Sequence, residues 1–386
     1  MFHSGQAKPI GGFFEKIPHY ITDTGIAGSE FPKTGASTAE CAVLNSEYRF
    51  EWNPKHFYFN SAINALNFFF THDFNNFKRI FIPAYTCPNL HDSVLSWAIK
   101  NDSEWKFYNI DHNFLPIIKN PLHKGDVIIL TNYFGILDNR LHHWYLKNRV
   151  MLKDALTIVD NSQSLFSSIS PFDLGFYSFR KFVGVSNGAA LISDSNPGDD
   201  FIRNYSLLQE DLSPAIPFHS RLRAEGNLKD GFAEFKRYEA ALEEEKHKKA
   251  SSFVLSEMER IDFRREREVR RNNFMTLHDA LGERNILELP STDEFEAPLI
   301  YPFLFKHGKG MDFHKRLIDS GIFVARYWSK LIKDRDSDMQ HSQRIILNKF
   351  EQNLANDLLP LPIDGRYGSQ EMKYIISKIN LWSNNS

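Results

Sequence analysis

The feature that most constrains this chain is a series of short apolar runs, each strand-sized and bounded by polar turns, at residues 79–83, 105–109, 127–133, 156–160, 176–178 and 189–193. Amphipathic stretches long enough for helices stand between several of them, at 87–100 and 139–152, and an earlier one covers 61–72. Near-continuous apolar strands alternating with helices predict βα repetition around a mainly parallel sheet buried on both faces.

Composition narrows the class. With 386 residues, 42% hydrophobic and 24% charged, the chain has enough apolar matter for a substantial core and exceeds an ordinary single domain. A formal charge of −2 excludes a disordered polyelectrolyte and a surface built to hold nucleic acid or an anionic membrane. The basic stretch 264–271 carries interleaved glutamates, which suits a salt-bridged helix better than a phosphate contact. Two cysteines, Cys41 and Cys87, cannot form a disulfide framework, and no run of about 18 apolar residues reads as a membrane span. The expectation is a soluble, cytoplasmic protein. Its histidines, His142-His143 included, lack metal-site spacing, so no metal is assigned. GxGxxG and GxxxxGK[ST] strings are absent.

Four units are expected along the chain. Residues 1–45, rich in Gly, Ser and Thr, form an N-terminal arm that lies across the body or reaches a partner subunit. Residues 46–230 form the large domain, and 231–289 form linking helices with a break near Ile261-Asp262. Their alternating blocks at 243–245 and 246–249 read as a solvated helix surface. Residues 290–386 form a smaller C-terminal α/β domain, in which 299–305, 313–320, 321–327 and 370–381 read strand, helix, strand, helix.

Chemistry concentrates at 176–191. A strand ends there in Ser178-Phe179-Arg180-Lys181 and a glycine-containing loop follows. In an apolar surround, a strand-end lysine is a nucleophilic amine able to form an imine; in isolation Lys181 is more often a surface group. Upstream, Thr157-Ile158-Val159-Asp160 ends a buried strand on a carboxylate. In a parallel sheet the strand C-termini face the ligand crevice, which directs Asp160 and Lys181 toward one cleft. Such an Asp holds a proton on a heterocyclic nitrogen, the partner a pyridoxal phosphate ring needs; the competing reading is a helix cap. A third element, Asn60-Ser61-Ala62-Ile63-Asn64, offers free N–H groups at a helix start to a phosphate, with the Ser178 hydroxyl as a second contact.

Taken together these segments resemble the fold-type I pyridoxal phosphate (PLP) enzymes, and among them the DegT/DnrJ/EryC1/StrS sugar aminotransferases. The matching pieces are 11–15, 60–66, 80–87, 132–135, 159–164, 177–188 and 361–363, in the family's order over nearly the whole length. The resemblance implies an aspartate aminotransferase-like architecture: a three-layer α/β/α large domain with a mainly parallel sheet, and a smaller C-terminal α/β domain. It implies that Lys181 is the Schiff-base lysine and proton shuttle, and that Asp160 pairs with the pyridine nitrogen. Gln163 would lie beside the ring, and Ser178 with the backbone of Ala62 and Ile63 would hold the phosphate. Many members have a stacking aromatic where this chain has Cys87, so either Tyr85 takes over or the stack is absent. Tyr133, Arg326 and Trp328 would face substrate, Arg326 as a bidentate clamp on a carboxylate or as a plain surface arginine. The serine-to-lysine step is three, where the sugar enzymes usually have five, and the helix start has Ala62-Ile63 in place of Gly-Thr.

The implied activity is transfer of an amino group from an amino acid donor to a keto or aldehyde acceptor, with a nucleotide-linked keto sugar as the family's acceptor and a homodimer as its assembly. Two rivals stand beside it. One is a dehydratase-like reaction on the same cofactor, against which Lys181 argues, because the related dehydratases carry histidine there. The other is a non-enzymatic member of the fold acting as a regulator or scaffold.

Overall fold

The computed structural model describes residues 9–12, 14, 42–51, 53–72, 77–244, 247–305, 308–333 and 345–383. Cys41, Phe13 and Glu15 lie outside the described residues. Strand β1 (Ile10–Gly11) belongs to the arm. Strand β2 (Phe57–Phe59) leads into α1 (Ala62–His72), after which come β3 (Arg79–Pro83), α2 (Pro88–Lys100), β4 (Glu104–Tyr108), β5 (Asp126–Thr131), α3 (Asp138–Leu152) and β6 (Leu156–Asn161). The sheet is completed by β7 (Leu174–Ser178), the short helix α4 (Arg180–Val183) and β8 (Ala189–Ser193).

Seven strands form this sheet in the order β2-β8-β7-β6-β5-β3-β4. All neighbours run parallel except β8, which is antiparallel to both β2 and β7. Successive residues alternate between two apolar layers. Val127, Ile129, Ile158, Leu174 and Phe176 pack with Leu66, Phe69, Leu90 and Val94 of α1 and α2. Ile128, Leu130, Val159 and Tyr177 pack on the opposite face with Leu141 of α3 and Phe274. The result is the expected three layers, with strand boundaries close to those read from the apolar runs. Helix α2 is anchored by His91, whose Nε2–H donates to the Pro83 carbonyl at 2.8 Å; burial pulls this imidazole down to about 4.

Helices α5 (Asp199–Leu207), α6 (Phe218–Ala224), α7 (Leu228–Glu244), α8 (Ser252–Glu259) and α9 (Phe263–Leu281) follow. The break near Ile261 is present, but a second interruption precedes α8. There the chain runs extended beside β2: Asn60 N–H donates to Lys248 O at 3.0 Å and Ala250 N–H to Tyr58 O at 3.1 Å. The edge of β2 offers unpaired backbone groups, and pairing with them overrides the helical charge pattern of Lys248 and Lys249.

The C-terminal part contains β9 (Ile300–Phe303), α10 (Gly310–Asp319), β10 (Ile322–Phe323), α11 (Lys330–Lys333), α12 (Lys349–Asp357), β11 (Leu359–Pro362) and α13 (Ser369–Ser383). β9 pairs antiparallel with β11, and β10 pairs with the arm: Ile10 lies opposite Ile322 and Gly11 opposite Phe323. The arm is fastened further by Gly11 N–H on the Tyr367 hydroxyl at 2.8 Å and by Arg223 on Gly11 O at 2.5 Å. Only glycine fits here, because Gly11 has a φ of +79° and a Cβ would lie 2.1 Å from the Phe323 carbonyl oxygen. Among the described residues no helix is long and apolar enough to cross a membrane.

Candidate active site

Four pieces of chain end on one edge of the sheet. Because β5, β6 and β7 are parallel, Thr131, Asp160 and Ser178 all stand at strand C-termini, with Thr131 opposite Asp160 in the register. The alternation that turns Ile129, Ile158 and Phe176 toward α1 and α2 turns these three residues the same way. β2 and β7 are both antiparallel to the β8 that separates them, so β2 runs in the same direction as β7 and delivers the start of α1 to the same edge.

Lys181 arrives from α4, directly after β7. Its ammonium donates to the Ser162 hydroxyl at 3.2 Å, and the Ser162 N–H donates to Asp160 Oδ1 at 2.9 Å. One serine therefore bridges the amine and the carboxylate across the crevice. Asp160 is buried; desolvation pushes its pKa up, opposed by the positive charge of Lys181 and the hydrogen bonds from Ser162. The enclosed apolar surround expected for Lys181 is not found: its side chain is exposed, while Phe182 and Val183 after it are buried. A helix of four residues buries one side only, and the lysine is on the other.

At the start of α1 the Ser61 hydroxyl accepts from Asn64 N–H at 3.2 Å. The N–H groups of Ala62 and Ile63 take no acceptor among the described residues, and both residues are half-buried. Two open donors at a helix N-terminus, with Ser178 at the end of β7 on the same sheet edge, form a set suited to a phosphate. Two buried hydroxyls, Thr86 and Thr131, have no partner among the described residues. An orphaned buried hydroxyl is unfavourable, and a polar ligand at this edge would relieve it. Donor set, carboxylate and amine all fit pyridoxal phosphate. Thr131 was missed at the sequence level, although it ends a strand next to the one ending in Asp160.

Cys87, ahead of α2, lies in the field of both Lys181 and Asp160, and burial pushes its thiol up. Tyr85 is fully enclosed, so its ring has no free face for a stacking partner. It packs edge-on to Trp328 at 4.8 Å and beside Tyr133 at 6.0 Å, and its carbonyl accepts from the Tyr133 hydroxyl at 2.5 Å. Tyr85, Tyr133 and Trp328 form an aromatic wall, whereas Cys87 packs with the apolar layer on the α1 and α2 side. Phe134 and Trp328 hold positive φ values of 59° and 58°, a conformation unfavourable by about 1–2 kcal/mol for bulky residues and maintained by this packing. Gln163 accepts from Phe134 N–H at 2.9 Å through its amide oxygen, which fixes the strained turn.

Beyond Lys181 opens a cavity of about 970 Å³, whose walls come from α4, α6, α7, the arm and the C-terminal part. Lys181 and Arg326 line it, together with Arg180, Arg223 and Arg366, which sequence reasoning did not single out. Arg180 pairs with Glu239 and Arg366 with Asp364. Arg326 has no carboxylate partner among the described residues. No cluster of three or more metal-ligating side chains occurs among the described residues.

No family model matches the chain. No curated protein matches it either. Solved structures do. A DegT DnrJ EryC1 StrS aminotransferase from Brucella abortus is 14% identical, with a TM-score of 0.55 over 85% of each chain. The sugar aminotransferase CalS13 from Micromonospora echinospora is 13% identical, with a TM-score of 0.55 over 85% of this chain and 87% of its own. NtdA from Bacillus subtilis, solved with its cofactor PMP bound, is 14% identical, with a TM-score of 0.54 over 84% of this chain and 72% of its own. The chain has the fold of these aminotransferases, PLP fold type I.

Proposed function

We propose that this protein is a PLP-dependent aminotransferase that moves an amino group from an amino acid donor to a keto or aldehyde acceptor, with a nucleotide-linked keto sugar as the acceptor class. The observation that carries the reading is the Lys181–Ser162–Asp160 link at the C-terminal edge of the sheet. The fold shared with CalS13, a sugar aminotransferase, and with PMP-bound NtdA supports the same chemistry.

In this reading the N–H groups of Ala62 and Ile63 and the Ser178 hydroxyl bind the phosphate, and Asp160 holds a proton on the pyridine nitrogen. Bound pyridoxal phosphate supplies an electron sink for negative charge developing at the carbon that bears the amino group. Lys181 Nζ takes the proton from the donor's α-carbon and later returns one to the acceptor's carbon. Its attachment to a short turn leaves the amine free to swing toward either position. Arg326, in the cavity with Lys181, holds a substrate carboxylate, and the Tyr133–Trp328 wall excludes water from that side. The proposed working units remain the arm (1–45), large domain (46–230), linking helices (231–289) and small domain (290–386). We take the enzyme to be a cytoplasmic homodimer; the exposed Leu212, Phe218 and Phe253, at 78%, 60% and 59%, support an apolar contact surface.

The test is a half-reaction. PLP-loaded protein mixed with candidate amino acids is expected to convert to the pyridoxamine form, followed by its absorbance. Failure of every donor tried would leave the protein a cofactor binder without transamination, and failure to bind PLP would remove the reading altogether.

A further inference from the structure

We propose that Arg270 is the positioning residue for Lys181, acting through the backbone of α4; the proposal rests on the reading of Lys181 as the cofactor lysine. A helix of four residues cannot hold its own shape, and its last carbonyls have no partners within it. Arg270, from α9, supplies one. Its Nη2–H donates to the Phe182 carbonyl at 3.0 Å, and its guanidinium lies 4.9 Å from the centre of the Phe182 ring. Phe182 is joined to Lys181 by a single peptide bond, so this contact fixes where the lysine leaves the backbone.

The other donors of Arg270 tie that point to the C-terminal part. Nη1 donates to Pro298 O at 3.2 Å and to Leu299 O at 3.1 Å, and Nε donates to Glu266 Oε1 at 2.7 Å. The same carboxylate oxygen accepts from Gly365 N–H at 3.0 Å. Both side chains of the pair are 1% exposed. Burial of an ion pair is a poor way to gain stability, since an apolar pair of like size commonly does as well. What apolar residues cannot do is hold three carbonyls and a carboxylate in a fixed plane, a task for which the guanidinium fork is suited and an ammonium is not. The lysine side chain itself is held only by Ser162 among the described residues, which leaves its aim to the backbone.

Two variants test this. Arg270→Lys keeps the charge beside Glu266 but loses the fork, and Arg270→Met with Glu266→Met removes both buried charges together. Each is loaded with PLP and followed by the absorbance band of the bound cofactor, by the pH midpoint of that band, by the half-reaction rate at saturating amino acid, and by thermal melting. We expect both to fold and bind PLP, with the midpoint displaced by about one pH unit and the saturated rate lowered roughly 10- to 100-fold, the smaller change in Arg270→Lys. A folded variant with its midpoint within about 0.3 pH unit of wild type and its rate within twofold overturns the proposal. Absence of a band in the wild-type protein overturns the cofactor reading first, and the proposal with it.

Discussion

Lys181 and Ser162 meet at 3.2 Å across the C-terminal edge of the sheet, and through the backbone N–H of that serine the amine is linked to the Asp160 carboxylate. A helix-borne amine and a buried strand-end carboxylate are thus held by one serine.

Lys181→Ala removes the amine while leaving α4 intact, since the side chain is exposed. Melting of the cofactor-free protein should change by less than about 1 kcal/mol. The PLP absorbance band and the half-reaction should be lost, the latter by about 10³-fold or more. A variant that still converts amino acids at the wild-type rate would place the chemistry elsewhere.

Asp160→Asn separates cofactor binding from stability. Burial raises the Asp160 pKa, so the folded state holds its proton more tightly than the unfolded state does. The associated stability is present at acid pH and lost as pH rises through the folded value. At neutral pH the buried charge is a standing liability, and the amide should melt higher without cofactor. Affinity for PLP should fall about 10- to 100-fold, the value of a hydrogen bond to a charged group. Titration of PLP by absorbance, next to a melting curve, reads both effects.

His91 predicts a pH dependence of stability of the opposite sign. Its imidazole is lowered by burial to about 4 from 6.5, so below pH 6.5 the unfolded chain takes up protons that the folded protein refuses. Stability should decline as pH falls from 6.5 to 4, by about 3 kcal/mol from this residue. Urea midpoints across that window should show a shallower slope in His91→Phe than in wild type. An unchanged slope would mean that His91 protonates within the fold.

Gly11→Ala places a Cβ against the Phe323 carbonyl in a backbone conformation unfavourable to alanine. The expected loss is about 1–3 kcal/mol. Limited proteolysis should then cut the arm ahead of the body, whereas an arm protected as in wild type would show that β1 does not depend on this glycine.

Most of the sheet was legible because each strand is a local apolar run with polar ends; β3 at 79–83 and β8 at 189–193 match those runs residue for residue. The meeting of Asp160 and Lys181 was legible too, since parallel strands bring their C-termini to one edge. Lys248 and Lys249 were misread as helix surface because the edge of β2 that captures their backbone lies about 190 residues earlier, beyond any local pattern. The cationic cavity was hidden for the same reason: Arg180, Arg223, Arg326 and Arg366 come from four separate segments, each an ordinary arginine in its own neighbourhood. Tyr85 could be ranked as a stacking candidate from its position, but its enclosure by Tyr133 and Trp328 is a fact of packing alone.

The pairing of Ile10 with Ile322, and of Gly11 with the Tyr367 hydroxyl, joins β1 to segments made more than 300 residues later. During synthesis the large sheet can assemble while the arm still has nothing to bind. The wall it lends to the cavity closes only after translation has passed Tyr367, so until then a nascent chain carries an unfinished pocket.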